Sequence, residues 1–221
     1  MLEKNLFYVQ GKLLSMRLQP IARLDTNKTV AYEVLSRIDT ESSIMVEDFF
    51  REIPSNELMA LLMRQITIIN GSRLNTRFFL NVRLECLTDK FVSWIESFAQ
   101  KKLSFEIDYH DIINVRYSPS PLIINRLLLL GHQIWLDDFD ADFDNEEILC
   151  AFNWSGIKLD KSVLWKLAFH HPAKIADIIR RCTCYAEDVI VEGIETDMQF
   201  NLSKFGGAQF GQGFYWRDLE I

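Results

Sequence analysis

Residues 18–35 read LQPIARLDTNKTVAYEVL, two apolar runs separated by the polar turn Asp25–Lys28. Each run is short and bounded by turn residues, so both read as strands. The connection is too short for a parallel crossover, so the two must pair antiparallel. The second run carries Glu33 near its end, and that placement recurs. FFLN ends on Asn81, LSFE on Glu106, IWLDD on Asp137 and Asp138, and VIVE on Glu192, while GIKL carries Lys158. Helical segments separate these runs: one through Leu58, Leu61, Leu62, Gln65 and Ile69, capped by Ser55 or Asn56; one from Asp89 to about Lys101; one from Ser120 to Leu130. Others include Val163, run on from Pro172, and pass through Met198, Leu202 and Phe205. Strand–helix alternation at this spacing predicts an α/β barrel of the TIM type whose first hairpin breaks the regular repeat.

In such a barrel the C-terminal strand ends form one rim, so residues distant in sequence converge on one acidic pocket. Asp137 and Asp138 are adjacent, and extended backbone would send them to opposite faces; a local turn brings both to one site. With Glu33, Asn81, Glu106 and Glu192 they offer an all-oxygen shell suited to Mg²⁺ or Mn²⁺ rather than zinc. Two such ions, about 3.5–4 Å apart, stabilise the attacking and leaving oxygens of a phosphodiester. Lys158 would orient water or neutralise developing charge, and Glu192 or Glu195 would hold the nucleophile. A lone carboxylate at a strand end is more often a solvated loop residue or a helix cap; the ordered set reverses that reading.

Composition bounds the alternatives. The chain has 221 residues, 48% of them hydrophobic, and a formal net charge of −7. That balance opposes direct, sequence-independent nucleic-acid binding, which needs a basic surface. No segment has the length and apolarity of a membrane span, and Leu122–Leu130 is short and interrupted by Asn125 and Arg126. The N-terminus lacks a leader-like apolar stretch, so the expectation is a cytoplasmic protein. Cys86, Cys150, Cys182 and Cys184 lack zinc-site spacing, and three of them read as small core residues. The four histidines read as structural or exposed, Trp135 and Phe139 as core, and Phe214–Trp216 as a last strand closing the barrel in preference to an exposed patch for a partner.

The ordered pieces QPI (Gln19–Ile21), EVLSR (Glu33–Arg37), LNV (Leu80–Val82), FEI (Phe105–Ile107), LDDF (Leu136–Phe139), IKLD (Ile157–Asp160), VEGIET (Val191–Thr196) and GQGF (Gly211–Phe214) span nearly the whole chain. In order and spacing the chain resembles the EAL domain, the cyclic-di-GMP phosphodiesterase module of bacterial signalling. The resemblance implies a modified TIM barrel with one antiparallel strand, here a single domain over 1–221. It implies that Glu33, Asn81, Glu106 and Asp137 hold a first metal, and that Asp138 and Glu192 complete a second. Lys158 and Gln212 would assist water and metal placement, Glu195 occupies the second acidic position of its motif, and Arg37 and Gln19 would bind substrate.

Two departures stand beside these matches. The family's glycine- and serine-rich DDFGTGYSS is DDFDADFDN here, which places Asp140, Asp142 and Asp144 beside an acidic pocket. Tyr109 stands where the family has a glutamate that anchors this loop. The resulting expectation is a stand-alone signalling protein, weakly active or inactive on cyclic di-GMP, that acts by protein–protein binding. By family analogy its partner would be the flagellar master transcription regulator, with motility repressed, or another signalling protein or a second copy in a homodimer. The alternative is an active Mg²⁺- or Mn²⁺-dependent phosphodiesterase that converts cyclic di-GMP to pGpG.

Overall fold

A computed structural model describes residues 6–38, 46–114 and 121–220. Ser120 and residues 1–5 lie outside the described residues. The chain opens with β1 (Phe7–Val9), then the expected hairpin of β2 (Lys12–Arg23) and β3 (Lys28–Ile38). Helices α1 (Val46–Glu52) and α2 (Ser55–Gly71) lead to β4 (Arg77–Asn81), then α3 (Asp89–Phe98) and β5 (Leu103–Asp108). Next come α4 (Tyr109–Asn114), α5 (Pro121–Leu129), β6 (Gln133–Phe139), α6 (Glu146–Leu149), β7 (Trp154–Leu159), α7 (Lys161–Leu167) and α8 (Pro172–Cys182). The sequence ends through β8 (Ala186–Val191), α9 (Asp197–Gly206), β9 (Phe210–Gln212) and β10 (Leu219–Glu220).

Strands β3 to β9 pair in parallel in chain order, and β2 lies antiparallel between β3 and β9, closing an eight-stranded barrel. The closed mixed barrel with one antiparallel strand agrees with the sequence expectation. Helices cover the outside with apolar stripes: Leu61, Leu62, Ile66 and Ile69 on α2, Phe91, Val92 and Ile95 on α3, and Ile175, Ile179 and Cys182 on α8. Such stripes at helical spacing bury one face against the strands.

Inside the barrel, side chains alternate along each strand with a period of two. Ala31, Phe79, Trp135 and Ile190, with Ile21 of β2, form a buried apolar floor that Phe210 packs against. Gly156 makes this floor possible. A Cβ there would lie 2.1 Å from Trp135 Cζ3, so only glycine leaves room for the indole across the barrel axis. The floor's polar atoms are satisfied, because Trp135 Nε1 and Ser104 Oγ both donate to Gln133 Oε1, at 3.1 and 2.9 Å.

Several local expectations are corrected. Pro54, not Ser55 or Asn56, occupies the cap position of α2, and the Ser55 hydroxyl instead donates to Glu85. Helix α3 stops at Phe98, before Lys101, whose ammonium donates to Leu74 O at 2.9 Å. Only Cys86 and Cys182 are buried; Cys150 and Cys184 are exposed. The closing strand is Phe210–Gln212, before Phe214–Trp216. Tyr215 and Trp216 pack on Phe200 beyond it, and Phe214 is 74% exposed.

Candidate functional site

The candidate site is the next inward layer above the floor. Two residues beyond Ala31, Phe79, Ser104, Trp135, Gly156, Ile190 and Phe210 stand Glu33, Asn81, Glu106, Asp137, Lys158, Glu192 and Gln212. Because β2 runs the opposite way, its contribution, Gln19, precedes Ile21 by two. The same period that lays the floor therefore brings all of these groups to one cleft of about 910 Å³, which they line with Asp138 and Glu195.

Lys158, 1% exposed, stands at the centre. Its Nζ lies 2.7 Å from Glu106 Oε1, 2.8 Å from Glu192 Oε1, 2.9 Å from Asp137 Oδ1 and 3.4 Å from Glu33 Oε2. Asn81 Nδ2 donates to Glu33 Oε1 at 2.8 Å, and Gln212 Nε2 donates to Glu33 Oε2 at 2.5 Å and to Gln19 Oε1 at 2.8 Å.

Asp138 has φ of +51°, in the left-handed region, and the β6–β7 register shifts between Leu136 and Phe139. This bulge is the local turn that adjacent aspartates require to share a site. As a result Asp137, Asp138 and Glu192 bring oxygens within 4.8 Å of one another, as do Glu33, Glu106 and Asp137. Asp137 belongs to both groups.

The charges are unbalanced, five carboxylates against one ammonium. Burial raises Glu106 well above the ordinary carboxylate range, helped by repulsion from Glu33. Burial likewise pushes Asp137 up to about 6 and Glu192 up to about 8, despite the attraction of Lys158 in each case. Glu33 is the exception. Burial again disfavours its charge, but Lys158, Gln212 and Asn81 together hold it below its usual value. Burial opposes the Lys158 charge as well, and the surrounding carboxylates reverse that and raise its pKa well above the usual lysine value.

These residues fit a divalent cation. Glu106 Oε2 and Gln212 Oε1 are buried and accept no hydrogen bond; a buried oxygen left unpaired is costly without a partner. All the convergent acceptors are oxygens, the donor set of a hard ion.

Other expected residues stand further out. Glu195 is exposed at the cleft wall, and its backbone N–H donates to Gln199 Oε1 at 2.9 Å. Arg37 is exposed on β3 beyond the cleft lining. Trp135 and Phe139 are buried as expected, and so is His132, whose Nδ1 accepts from Leu103 N at 3.2 Å. Lys161 and Trp165 also line the cleft, which sequence reasoning missed because nothing local sets them apart, and so does Phe214, which it gave to the closing strand. It also missed what Tyr109 does. The phenol, on a ring 1% exposed, donates to Asp142 Oδ2 at 3.1 Å across the loop that follows Asp138. The signal was present: a new donor at 109 and new acceptors at 140–144 occur together.

A family model described as EAL domain matches residues 2–218. The probable cyclic di-GMP phosphodiesterase PdeB of Escherichia coli (strain K12) is 23% identical over 225 residues, 94% of this chain and 43% of that protein. The Klebsiella pneumoniae BlrP1 manganese/cyclic-di-GMP complex has a TM-score of 0.76 at 19% identity, covering 97% of this chain and 58% of that one. An EAL domain protein from Listeria monocytogenes EGD-e gives 0.73 at 19% identity, over 94% and 89%. The chain spans less than half the length of the curated relatives it matches. At these identities the structural likeness speaks for the fold.

Proposed function

Because the chain belongs to the EAL domain family, we propose that it is a divalent-metal-dependent phosphodiesterase that opens cyclic di-GMP to linear pGpG. The observation that carries this reading is the convergence of Glu33, Glu106, Asp137, Asp138 and Glu192 around one buried lysine, with Glu106 Oε2 unpartnered. Glu33, Asn81, Glu106 and Asp137 would hold one Mg²⁺ or Mn²⁺, and Asp138 and Glu192, with Asp137 shared, a second. Ions of this type supply Lewis-acid polarisation of a phosphate oxygen and activation of water.

The protein's own groups do the rest. Water adds to phosphorus as the P–O3′ bond breaks, leaving a 3′ hydroxyl and a 5′ phosphate. Lys158 Nζ, permanently protonated among its carboxylates, offsets charge gathering on the phosphoryl oxygens. Glu192, at the cleft side of the cluster, would take the proton of the attacking water, and the departing O3′ would take one from solvent. Gln212, itself held by Gln19, fixes the Glu33 carboxylate, and Arg37, farther out, meets a substrate phosphate. The test is pGpG release by purified protein with Mg²⁺ and with Mn²⁺; no product in either at high enzyme concentration overturns the proposal.

A second reading has its own observation. Asp140 and Asp144 are exposed on the loop that follows Asp138, and Glu146 and Glu147 are exposed at the start of α6, where they repel an anionic dinucleotide. A protein of weak or absent turnover would then act by binding a partner, by family analogy the flagellar master transcription regulator. Recovery of such a regulator in a pull-down, without hydrolysis, would favour it. Among the described residues no helix is long and apolar enough to cross a membrane; a cytoplasmic location is part of either reading.

A further inference from the structure

Tyr109 touches both ends of the loop at 140–145. Its ring packs edge-on against Phe139, centroids 5.1 Å apart, and Phe139 directly follows Asp138. Its hydroxyl donates to Asp142, at 3.1 Å from Oδ2 and 3.3 Å from the carbonyl oxygen. Asn145 closes a three-residue knot, donating from Nδ2 to Asp142 Oδ2 at 2.7 Å and to the Tyr109 hydroxyl at 3.2 Å. On the far side Phe143 packs on Phe139 at 5.2 Å and takes the Arg181 guanidinium 3.7 Å from its ring centroid.

The knot has something to hold. Asp138 and Ala141 both sit at positive φ, +51° and +65°, a conformation that costs a non-glycine residue about 1 kcal/mol or more. Such strain persists only where surrounding contacts over-determine it. Here it turns the Asp138 carboxylate onto the side of Asp137 and Glu192. Tyr109 also lies three residues after Glu106, so one side chain ties the end of β5 to the turn after β6.

We propose that Tyr109 is a positioning residue: its hydroxyl, through Asp142 and Asn145, locks the loop that keeps Asp138 facing Asp137 and Glu192, and so completes the outer of two cation pockets. The inference rests on the metal-dependent reading above. It separates the two pockets, because the inner group of Glu33, Glu106 and Asp137 is wholly buried and does not include Asp138. The sequence departures at 109 and 142 thus compensate one another, a new donor for a new acceptor.

The test is Tyr109→Phe, which removes one oxygen and keeps the ring on Phe139. Mn²⁺ uptake is followed by the spin-resonance signal of the free ion, and amide exchange is followed over 140–145. The wild type should bind two Mn²⁺, and the variant should bind one unchanged and one about tenfold more weakly, as for loss of an outer-shell partner. Exchange at Asp142 and Asp144, whose amides are held by Asp140 and Asp142 carboxylates, should quicken. Asn145→Ala should reproduce the selective loss, and the double variant should be no worse. Equal weakening of both ions, no weakening of either, or fewer than two ions in the wild type overturns the proposal. Selective loss in a wild-type background that yields no pGpG leaves it standing and sinks the phosphodiesterase instead.

Discussion

The floor of the barrel and the rim above it are made by the same eight strands, one inward position apart, yet they solve opposite problems. In the floor Trp135, Phe79, Ile190 and Ile21 fill the axis, and the polar atoms that enter are paired with Gln133. The rim gathers five carboxylates around Lys158 and leaves Glu106 Oε2 without a donor. The floor is therefore stable by itself, whereas the rim costs stability and is complete only with added positive charge. Stability and chemistry sit on alternate residues of one strand, so substitutions two positions apart should fail in different ways.

Glu106→Gln breaks the rim alone and should have the largest effect. It removes an acceptor worth several kcal/mol to a polarising ion, so turnover should fall about 10³-fold or more. The metal-free unfolding midpoint should change little, since burial already favours the neutral form of Glu106. Persistent turnover with normal Mn²⁺ uptake would contradict the assignment. Lys158→Met comes next. Stripping the carboxylates of the ammonium at their centre should cost about 3–5 kcal/mol of metal-free stability. Mn²⁺ should recover more of the midpoint in this variant than in wild type, and equal shifts in both would count against a shared cation role.

Gly156→Ala breaks the floor. Its methyl must displace the Trp135 indole, at a cost of about 1–3 kcal/mol from overpacking. The denaturant midpoint should drop while Mn²⁺ affinity of the folded fraction changes little. A variant as stable as wild type would mean the indole has room to move.

The last comparison is in pH. Glu192 titrates near 8 in the fold against an ordinary carboxylate value near 4.5, so the native state carries the extra proton between them. Stability without metal should then fall as pH rises through that window. His132, held down to about 4 by burial and by the Lys102 and Arg77 charges, acts oppositely: its contribution is lost as pH falls below about 6.5. The interval from pH 6.5 to 8 is therefore free of it. There the decline should flatten in Glu192→Gln, and an unchanged slope would place the proton elsewhere.

The rim was legible in sequence because a two-residue period and a recurring polar residue at strand ends require no knowledge of packing. The hairpin at Asp25–Lys28 likewise announced the antiparallel strand. The bulge at Asp138 was legible only as a need, since left-handed φ at an aspartate leaves no mark in composition. Tyr109 and the loop read in sequence as two losses at one element, because a compensating side-chain pairing over 33 residues is a property of the folded chain. Phe214 was assigned to the closing strand because aromatic residues suit strands; the pairing with β2 ends at Gln212.

Strand β2 has one further consequence. It pairs with β3 through the nearest of turns, but its other barrel neighbour, β9, is synthesised almost two hundred residues later, and Gln19 meets Gln212 across that separation. Until then β2 presents a bare edge, the kind of surface that invites pairing with other chains, and closure carries the kinetic burden of distant contacts. The same closure delivers Gln212 to Glu33. A nascent chain thus assembles the polar rim in the step that covers the Ile21–Arg23 edge of β2, so the gathering of these side chains also marks closure of the barrel.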